Sequence, residues 1–275
     1  MSDQSSETTV DPETQRRAVR ERYGNIATQG STGCCEPADG CETETDKTAA
    51  DTATKLGYET DDLDAVDGEA NLGLGCGNPT AIGALELGET VLDLGSGAGF
   101  DCFLAVQEVG ETGQVIGVDM APEMIDKARD NAQQNETDAV EFRLCEIEHL
   151  PVADETVDVI ISNCVINLSP AKQQVFDEAF RVLRPGGRLV VSDIVLSATP
   201  PAGARDDIDT ITGCAGGAAT VDELETMLAE AGFVEIAIEP KDESREFLRE
   251  WSDEYAIEEF AVSATIEATK PTSGL

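Results

Sequence analysis

From residue 90 onward, short apolar runs alternate with amphipathic runs. Five runs rich in Val, Ile and Leu predict β-strands at residues 90–94, 114–119, 140–144, 157–162 and 188–196. The segments between them, such as 122–132 and 170–183, carry apolar residues at helical spacing and predict helices. This alternation predicts an α/β fold, a mostly parallel sheet with helices on both faces.

The two ends of the chain follow a different pattern. Residues 30–55 contain almost no large apolar side chain, so we expect a flexible, Cys-containing arm there. Toward the C-terminus, residues 220–223 have the pattern of a capping box, and strands are expected at 233–238 and 261–268. The chain is therefore divided into an N-terminal helix and arm (1–55), a core (56–199) and a C-terminal part (200–275).

A glycine-alternating turn lies between the first predicted strand and the helix after it. Asp93 precedes the turn, whose glycines are Gly95, Gly97 and Gly99. A helix that opens after such a turn offers free N–H groups to an anionic ligand. The second strand ends about twenty residues later at Asp119, which is placed to accept hydrogen bonds from ribose hydroxyls. This pairing resembles the class I S-adenosylmethionine-dependent methyltransferases, which have a Rossmann-like, seven-stranded sheet.

The net charge of the chain limits the partners and the cellular compartment that we expect. The 275 residues include 56 acids and 18 bases, and the net charge is −38. Such a field repels nucleic acid and anionic membranes, and it is typical of proteins from a high-salt cytoplasm. No apolar run is long enough to span a membrane, and the first residues lack the basic and apolar regions of a signal peptide. We therefore expect a cytoplasmic, halophilic protein, by default a monomer.

The one basic cluster belongs to a helix that Asp11 and Pro12 are expected to begin. Its members are Arg16, Arg17, Arg20 and Arg22. A solvated face that pairs with nearby acids is favoured here over a docking role.

Three of the eight cysteines lie in loops. Cys76 lies in a glycine-dense loop before the first strand, Cys164 directly follows the fourth, and Cys214 lies in a Gly/Ala loop after the fifth. Ligands bind at the carboxyl edge of a parallel sheet, so these thiols can meet there as a soft, low-coordination site. Cysteine also packs as a small apolar residue, which fits Cys102 and Cys145, and Cys164 alone fits either role.

The cysteines nearest the N-terminus are Cys34, Cys35 and Cys41. They lack the second Cys/His pair of a zinc site, so an auxiliary and an incidental role both stay open.

Five motifs in this order resemble the arsenite methyltransferases over residues 56–240. They are Leu-Gly-Leu-Gly-Cys76-Gly-Asn-Pro, Val-Leu-Asp-Leu-Gly-Ser-Gly-Ala-Gly-Phe-Asp-Cys, Gly-Val-Asp-Met-Ala-Pro-Glu-Met, Ile-Ser-Asn-Cys164-Val-Ile-Asn-Leu-Ser and Gly-Cys214-Ala-Gly-Gly. The resemblance implies that Cys76, Cys164 and Cys214 bind As(III) as thiolates. It implies that S-adenosylmethionine is surrounded by Asp93, Gly95, Ser96, Gly97, Gly99, Asp119, Met120, Glu146, Ile147 and Asn163. Cys145 stands where the family often has glycine.

The implied reaction moves a methyl group from S-adenosylmethionine to arsenite, its glutathione conjugate or methylarsenite. No general base is required, and His149, the single histidine, is expected to be structural. A thiol reductant such as thioredoxin or glutathione is the expected partner. Two alternatives stay open, a methyltransferase of a small quinone-like substrate and a non-catalytic thiol protein that binds soft metals.

Overall fold

The computed structural model describes residues 10–29, 49–66, 69–252 and 254–272. The strands are β1 (Thr90–Leu94), β2 (Gln114–Asp119), β3 (Val140–Leu144), β4 (Val157–Asn163), β5 (Leu183–Leu196), β6 (Ala219–Thr220), β7 (Val234–Lys241) and β8 (Ala261–Thr269). The α-helices are α1 (Pro12–Gln29), α2 (Ala49–Lys55), α3 (Thr60–Asp64), α4 (Pro79–Gly83), α5 (Phe100–Val109), α6 (Pro122–Gln134), α7 (Lys172–Val182), α8 (Ile208–Thr212), α9 (Val221–Ala231) and α10 (Arg245–Leu248). Single 3₁₀ turns lie at Ile166–Leu168, Asp242–Ser244 and Ile257–Glu259.

The main sheet has the strand order β3-β2-β1-β4-β5-β8-β7. Strands β1 to β5 pair in parallel, and β8 is antiparallel to both of its neighbours, β5 and β7. The two-residue β6 adds a short parallel pairing at the end of β5. The predicted α/β fold with a seven-stranded, mostly parallel sheet is confirmed, including the antiparallel hairpin that closes it.

Helices cover both faces of the sheet, which explains why the central strands are apolar at almost every position. Leu92 of β1 packs into a cluster that includes Phe176 of α7 and Leu228 of α9. The next residue back, Val91, packs into a second cluster with Phe103 of α5 and Ile125 of α6. Successive side chains point to opposite faces of a strand, so two buried faces require an unbroken apolar run.

Strand β5 begins five residues earlier than the sequence predicts, at Leu183 instead of Arg188. Leu183 pairs with Val157 and Arg188 with Val159, so the Arg-Pro-Gly-Gly stretch between them bulges out of the ladder. Gly186 allows this bulge because its φ is +84°. Breaker residues therefore interrupt the register here without ending the strand.

Helix α1 docks on the core through charges that are distant in sequence. Arg16 Nη2 lies 3.1 Å from Glu148 Oε1, and Arg20 Nη2 lies 3.3 Å from Glu146 Oε1. Gln15 Nε2 donates to the carbonyl of Leu168 over 3.0 Å. The expectation that this basic cluster pairs with nearby acids is confirmed for Arg16 and Arg20, and these pairs attach the helix to the core.

The expected flexible arm and the thiols of Cys34, Cys35 and Cys41 lie outside the described residues up to residue 48. Its last part, 49–55, is helix α2, whose Ala53 is buried against the core. Across the ranges given above, no helix combines the length and the apolarity that a membrane crossing requires.

Candidate active site

A cleft opens at the carboxyl edge of the sheet, above β1, β2 and β4. It encloses about 1130 Å³ of empty space, part of it open to solvent. Its wall includes these predicted cofactor residues: Gly95, Ser96, Gly97, Asp119, Met120, Ile147 and Asn163. Helix α1 closes one side with Arg16, Val19, Arg20 and Tyr23.

The glycine turn forms the floor of the cleft, as predicted. Gly95, Gly97 and Gly99 have φ values of +73°, +52° and +96°, a backbone region that favours glycine. A Cβ at Gly95 would lie 2.3 Å from a methyl carbon of Val165. The turn can therefore lie this close to the chain after β4 only because residue 95 has no side chain.

Polar groups on this floor suit the hydroxyls and the amino-acid end of S-adenosylmethionine. Asp119 accepts hydrogen bonds from the backbone N–H of Gly97 at 3.1 Å and of Ala121 at 2.8 Å. Burial raises the pKa of Asp119 to about 6. The hydroxyl of Ser96 is buried with no hydrogen-bond partner among the described residues. A buried hydroxyl without a partner and a carboxylate at the same turn offer hydrogen bonds to a polar ligand, so the cofactor fits this floor.

Three predicted cofactor residues are not in the cleft wall: Asp93, Gly99 and Glu146. Asp93 is 2% exposed, burial raises its pKa well above the usual value, and it accepts a hydrogen bond from Cys102 Sγ at 3.2 Å. Glu146 pairs with the arginines of α1, and Glu148 lines the cleft in its place. These residues support the cleft from behind or from its rim.

The structure brings together the three cysteines that the sequence singles out. Cys76 precedes α4, Cys164 follows β4 and Cys214 follows α8, and all are buried. The Sγ atoms of Cys76 and Cys164 and a carboxylate oxygen of Asp193 lie within 4.8 Å of one another. Cys214 Sγ lies 2.7 Å from the carbonyl oxygen of Cys164 and donates to it. Three segments far apart in sequence thus supply one thiol cluster, in which Cys214 contacts Cys164 but is not part of the group within 4.8 Å.

The backbone of this cluster is strained. Cys164 has a φ of +60° and Cys214 a φ of +70°, the left-handed region that non-glycine residues seldom adopt. Such conformations cost about 1–3 kcal/mol each and persist where the surrounding structure imposes them, often at functional sites.

The protein holds the thiols of Cys76 and Cys164 in their neutral form. Burial is the largest cause that raises the pKa of Cys76, and the Ser192 hydroxyl and the Cys164 thiol partly offset it. Burial also raises the pKa of Cys164 well above its usual value, and the neighbouring thiols of Cys214 and Cys76 add to the effect. Any thiolate here must therefore form together with the ligand that it binds.

Several polar groups at the site were not anticipated from the sequence. Asp193 of β5 is 2% exposed, accepts from Asn167 Nδ2 at 2.8 Å and has its pKa raised by burial to about 6. The Tyr58 hydroxyl donates to Asp101 Oδ1 at 2.6 Å, and both side chains line the cleft. One signal was present, because Asp193 is the one acid in strand β5 and lies between apolar runs.

Other predicted assignments agree with the structure. Cys102 lies on α5 and is fully buried in an apolar cluster, as a structural cysteine should be. Cys145 is half-buried and stands outside the thiol cluster. His149 is not in the cleft wall, and its Nδ1 lies 3.2 Å from Gln174 Nε2.

A methyltransferase-domain family model matches residues 85–232. The arsenite methyltransferase of Halobacterium salinarum is 57% identical over 95% of this chain and 68% of its own length. The human arsenite methyltransferase is 41% identical over 52% of this chain, and the match covers 40% of that protein. The chain thus spans just over two thirds of the halobacterial protein, and less than half of the human protein is matched.

Solved structures agree on the fold. An arsenic (III) S-adenosylmethionine methyltransferase from Chlamydomonas reinhardtii aligns with a TM-score of 0.60 and 31% identity, over 81% of this chain and 74% of that one. The [4+2]-cyclase SpnF aligns over 98% of this chain with a TM-score of 0.65. At 19% identity, the cyclase carries information about the fold alone.

Proposed function

The chain belongs to the arsenite methyltransferase family, and we propose that Cys76, Cys164 and Cys214 hold As(III) while a methyl group is transferred to it from S-adenosylmethionine. One observation carries the proposal: three buried thiols from separate segments meet beside the cleft whose floor is the glycine turn. Soft thiol ligands suit a thiophilic centre and suit Mg²⁺ or Ca²⁺ poorly. Methylarsenite and the glutathione conjugate of arsenite are further candidate substrates.

Arsenite can enter this cluster without a general base. Each As–S bond forms as an As–O bond breaks, and the thiol proton leaves with the hydroxyl group as water. This exchange starts from neutral thiols, in keeping with the raised pKa values of Cys76 and Cys164. The arsenic lone pair then stays available as the nucleophile.

The cofactor, when bound, supplies a methyl group on a positively charged sulfur. Gly95, Ser96 and Gly97 would hold its amino-acid end, and Asp119 would accept from its ribose hydroxyls. Met120 and Ile147 would contact its adenine side. The chain's own contribution to the rate is to hold the two reactants close and aligned and to exclude water from between them.

Methyl transfer raises arsenic from the trivalent to the pentavalent state. Two cysteine sulfurs can return two electrons and become one disulfide, which an external dithiol such as thioredoxin, or glutathione, reduces again. The reductant is part of this proposal, as are the cytoplasmic setting, the monomeric state and the division at residues 55 and 199.

The alternatives from the sequence lose support. A methyltransferase of an organic substrate has no use for three clustered thiols, and a simple soft-metal binder has no use for a cleft with this turn and Asp119. The identity of 57% to the halobacterial protein supports the arsenite reaction.

The test uses purified protein in multi-molar KCl with arsenite, thioredoxin or glutathione, and methyl-labelled S-adenosylmethionine. We expect label in methylated arsenic from the wild type, and at least about a hundredfold less from Cys76→Ser, Cys164→Ser and Cys214→Ser. Cys145→Ser removes a described thiol outside the cluster and should retain the activity. Cofactor binding without labelled arsenic in the wild type would refute the proposal in favour of an organic substrate.

A further inference from the structure

Asn163 ends β4 directly before Cys164, and its side chain reaches across to the loop that carries Cys76. Its Oδ1 accepts from the backbone N–H of Cys76 at 2.9 Å, and its Nδ2 donates to the carbonyl of Gly77 at 2.7 Å. The amide thus pairs with the loop as the backbone of a neighbouring strand would. This double contact sets where Cys76 lies relative to Cys164.

The conformation of the Cys76 loop allows Asn163 to approach closely enough for these two hydrogen bonds. Gly75 has a φ of +119°, and a Cβ there would lie 2.8 Å from the amide nitrogen of Asn163. On the far side, Ser263 Oγ donates to the carbonyl of Cys76 at 2.7 Å. Both backbone polar groups of Cys76 are therefore bound by side chains from strands of the sheet, and the loop has little freedom to shift.

The same amide also reaches the cofactor cleft. Its Nδ2 lies 3.0 Å from the Tyr58 hydroxyl and 3.3 Å from Asp101 Oδ2, and both residues line the cleft. The resemblance described above places Asn163 among the cofactor residues. Its two shortest hydrogen bonds, however, are to the Cys76 loop.

We propose that Asn163 is a positioning residue for the arsenic substrate: its amide holds the Cys76 loop at the separation from Cys164 at which both thiols bind one arsenic. The inference rests on the proposed function, because it assumes that these thiols are the arsenic ligands. Groups that orient ligands in this way typically contribute a factor of about 10–100 in affinity at metal sites.

The decisive measurement is arsenite binding without cofactor, followed by the near-ultraviolet absorbance of arsenic–thiolate bonds in multi-molar KCl. Asn163→Ala should weaken arsenite binding by about 10- to 100-fold. Asn163→Asp keeps the volume and the acceptor for the Cys76 N–H but sets a carboxylate oxygen against the Gly77 carbonyl and Asp101, so its affinity should fall at least as far as that of Asn163→Ala. This variant also serves if Asn163→Ala does not fold.

Asn131 provides a matched control. It is a buried asparagine that also bridges two backbone segments, accepting from the N–H of Glu69 at 3.3 Å and donating to the carbonyl of Ala98 at 3.0 Å. Neither of these two bonds joins a loop that carries one of the three thiols. Asn131→Ala should lower the melting temperature as Asn163→Ala does and leave the arsenite affinity within about twofold of the wild type.

The possible results of these binding measurements distinguish the role proposed for Asn163 from its alternatives. Arsenite binding equal to the wild type in Asn163→Ala, or weakened to the same degree in Asn131→Ala, would overturn the proposal. Weakened S-adenosylmethionine binding with unchanged arsenite binding would make Asn163 the cofactor residue that the sequence predicts. If wild-type protein binds no arsenite through its thiols, the proposed function itself fails, which separates the two failures.

Discussion

Helix α1 closes one side of the cleft, and Arg16 is the side chain whose removal tests how it is held. Its guanidinium contacts Glu148 and Glu146, and the Glu148 side chain is 4% exposed while that of Arg16 is 26% exposed. Arg16→Ala leaves a carboxylate buried without its cation. Removing one partner of a buried pair costs about 3–5 kcal/mol, and the lower end applies here because Arg16 is partly solvated.

A loss of about 3 kcal/mol corresponds to roughly a hundredfold larger population of undocked helix. Hydrogen exchange of the α1 amides measures that population directly. Arg17→Ala is the matched control, since Arg17 lies on the exposed face of the same helix and its loss should change stability by less than about 0.5 kcal/mol. Because α1 lines the cleft, Arg16→Ala should also weaken S-adenosylmethionine binding.

A double-mutant cycle with Glu148→Gln isolates the pair itself. The amide oxygen in that variant can still accept from Ser169 Oγ, whose bond to Glu148 Oε1 is 2.7 Å long in the wild type. We expect a coupling energy of about 2 kcal/mol that persists in multi-molar KCl, since a buried pair is poorly screened. Equal exchange of the α1 amides in Arg16→Ala and Arg17→Ala, or a coupling that vanishes in salt, would refute this reasoning.

Three further predictions concern the core, the turn and the solvent. Burial raises the folded-state pKa of Asp93, so the folded protein binds this proton more tightly, and stability should rise as pH falls from 7 to 5. Thermal melts of Asp93→Asn should show a smaller rise over this range and a higher stability than the wild type at pH 7. Gly95→Ala should abolish cofactor binding in calorimetry, because its Cβ would meet Val165 at 2.3 Å; an unchanged Kd would contradict the role of the turn. A net charge of −38 should unfold the protein in dilute buffer, and full ellipticity retained there would count against a halophilic origin.

The sequence predicts the parts of this molecule that are determined locally. The strand, glycine turn and helix around Gly95, and the acid at the end of β2, follow from short-range patterns. The place of Cys164 beside the glycine turn follows from one rule of sheet topology, that loops after parallel strands share an edge. Cys76 lies in a loop before β1, so this rule does not place it there. No such rule predicts the ion pair of Arg16, because its partner Glu148 is 132 residues away in sequence.

Two other features, the continuity of strand β5 and the hydrogen bonds of Asn163, also depend on contacts that the local sequence does not determine. Arg184 to Gly187 have the composition of a helix stop followed by a turn, yet ladder pairing on either side of them keeps β5 continuous. The amide of Asn163 could not be assigned to the Cys76 loop, because a side chain's choice among several nearby acceptors depends on distances that only the folded chain fixes.

The left-handed backbone conformation of Cys164 and Cys214 is relevant to the evolutionary origin of the thiol cluster. Glycine adopts these φ values without strain, so glycine is the residue that the fold alone would select at both positions. A single nucleotide change converts a glycine codon into a cysteine codon. Two of the three thiols are therefore one mutational step from a scaffold in which these turns were already formed. The chemistry could be gained by point mutation, with the strain as its conformational cost and no rearrangement of the loops.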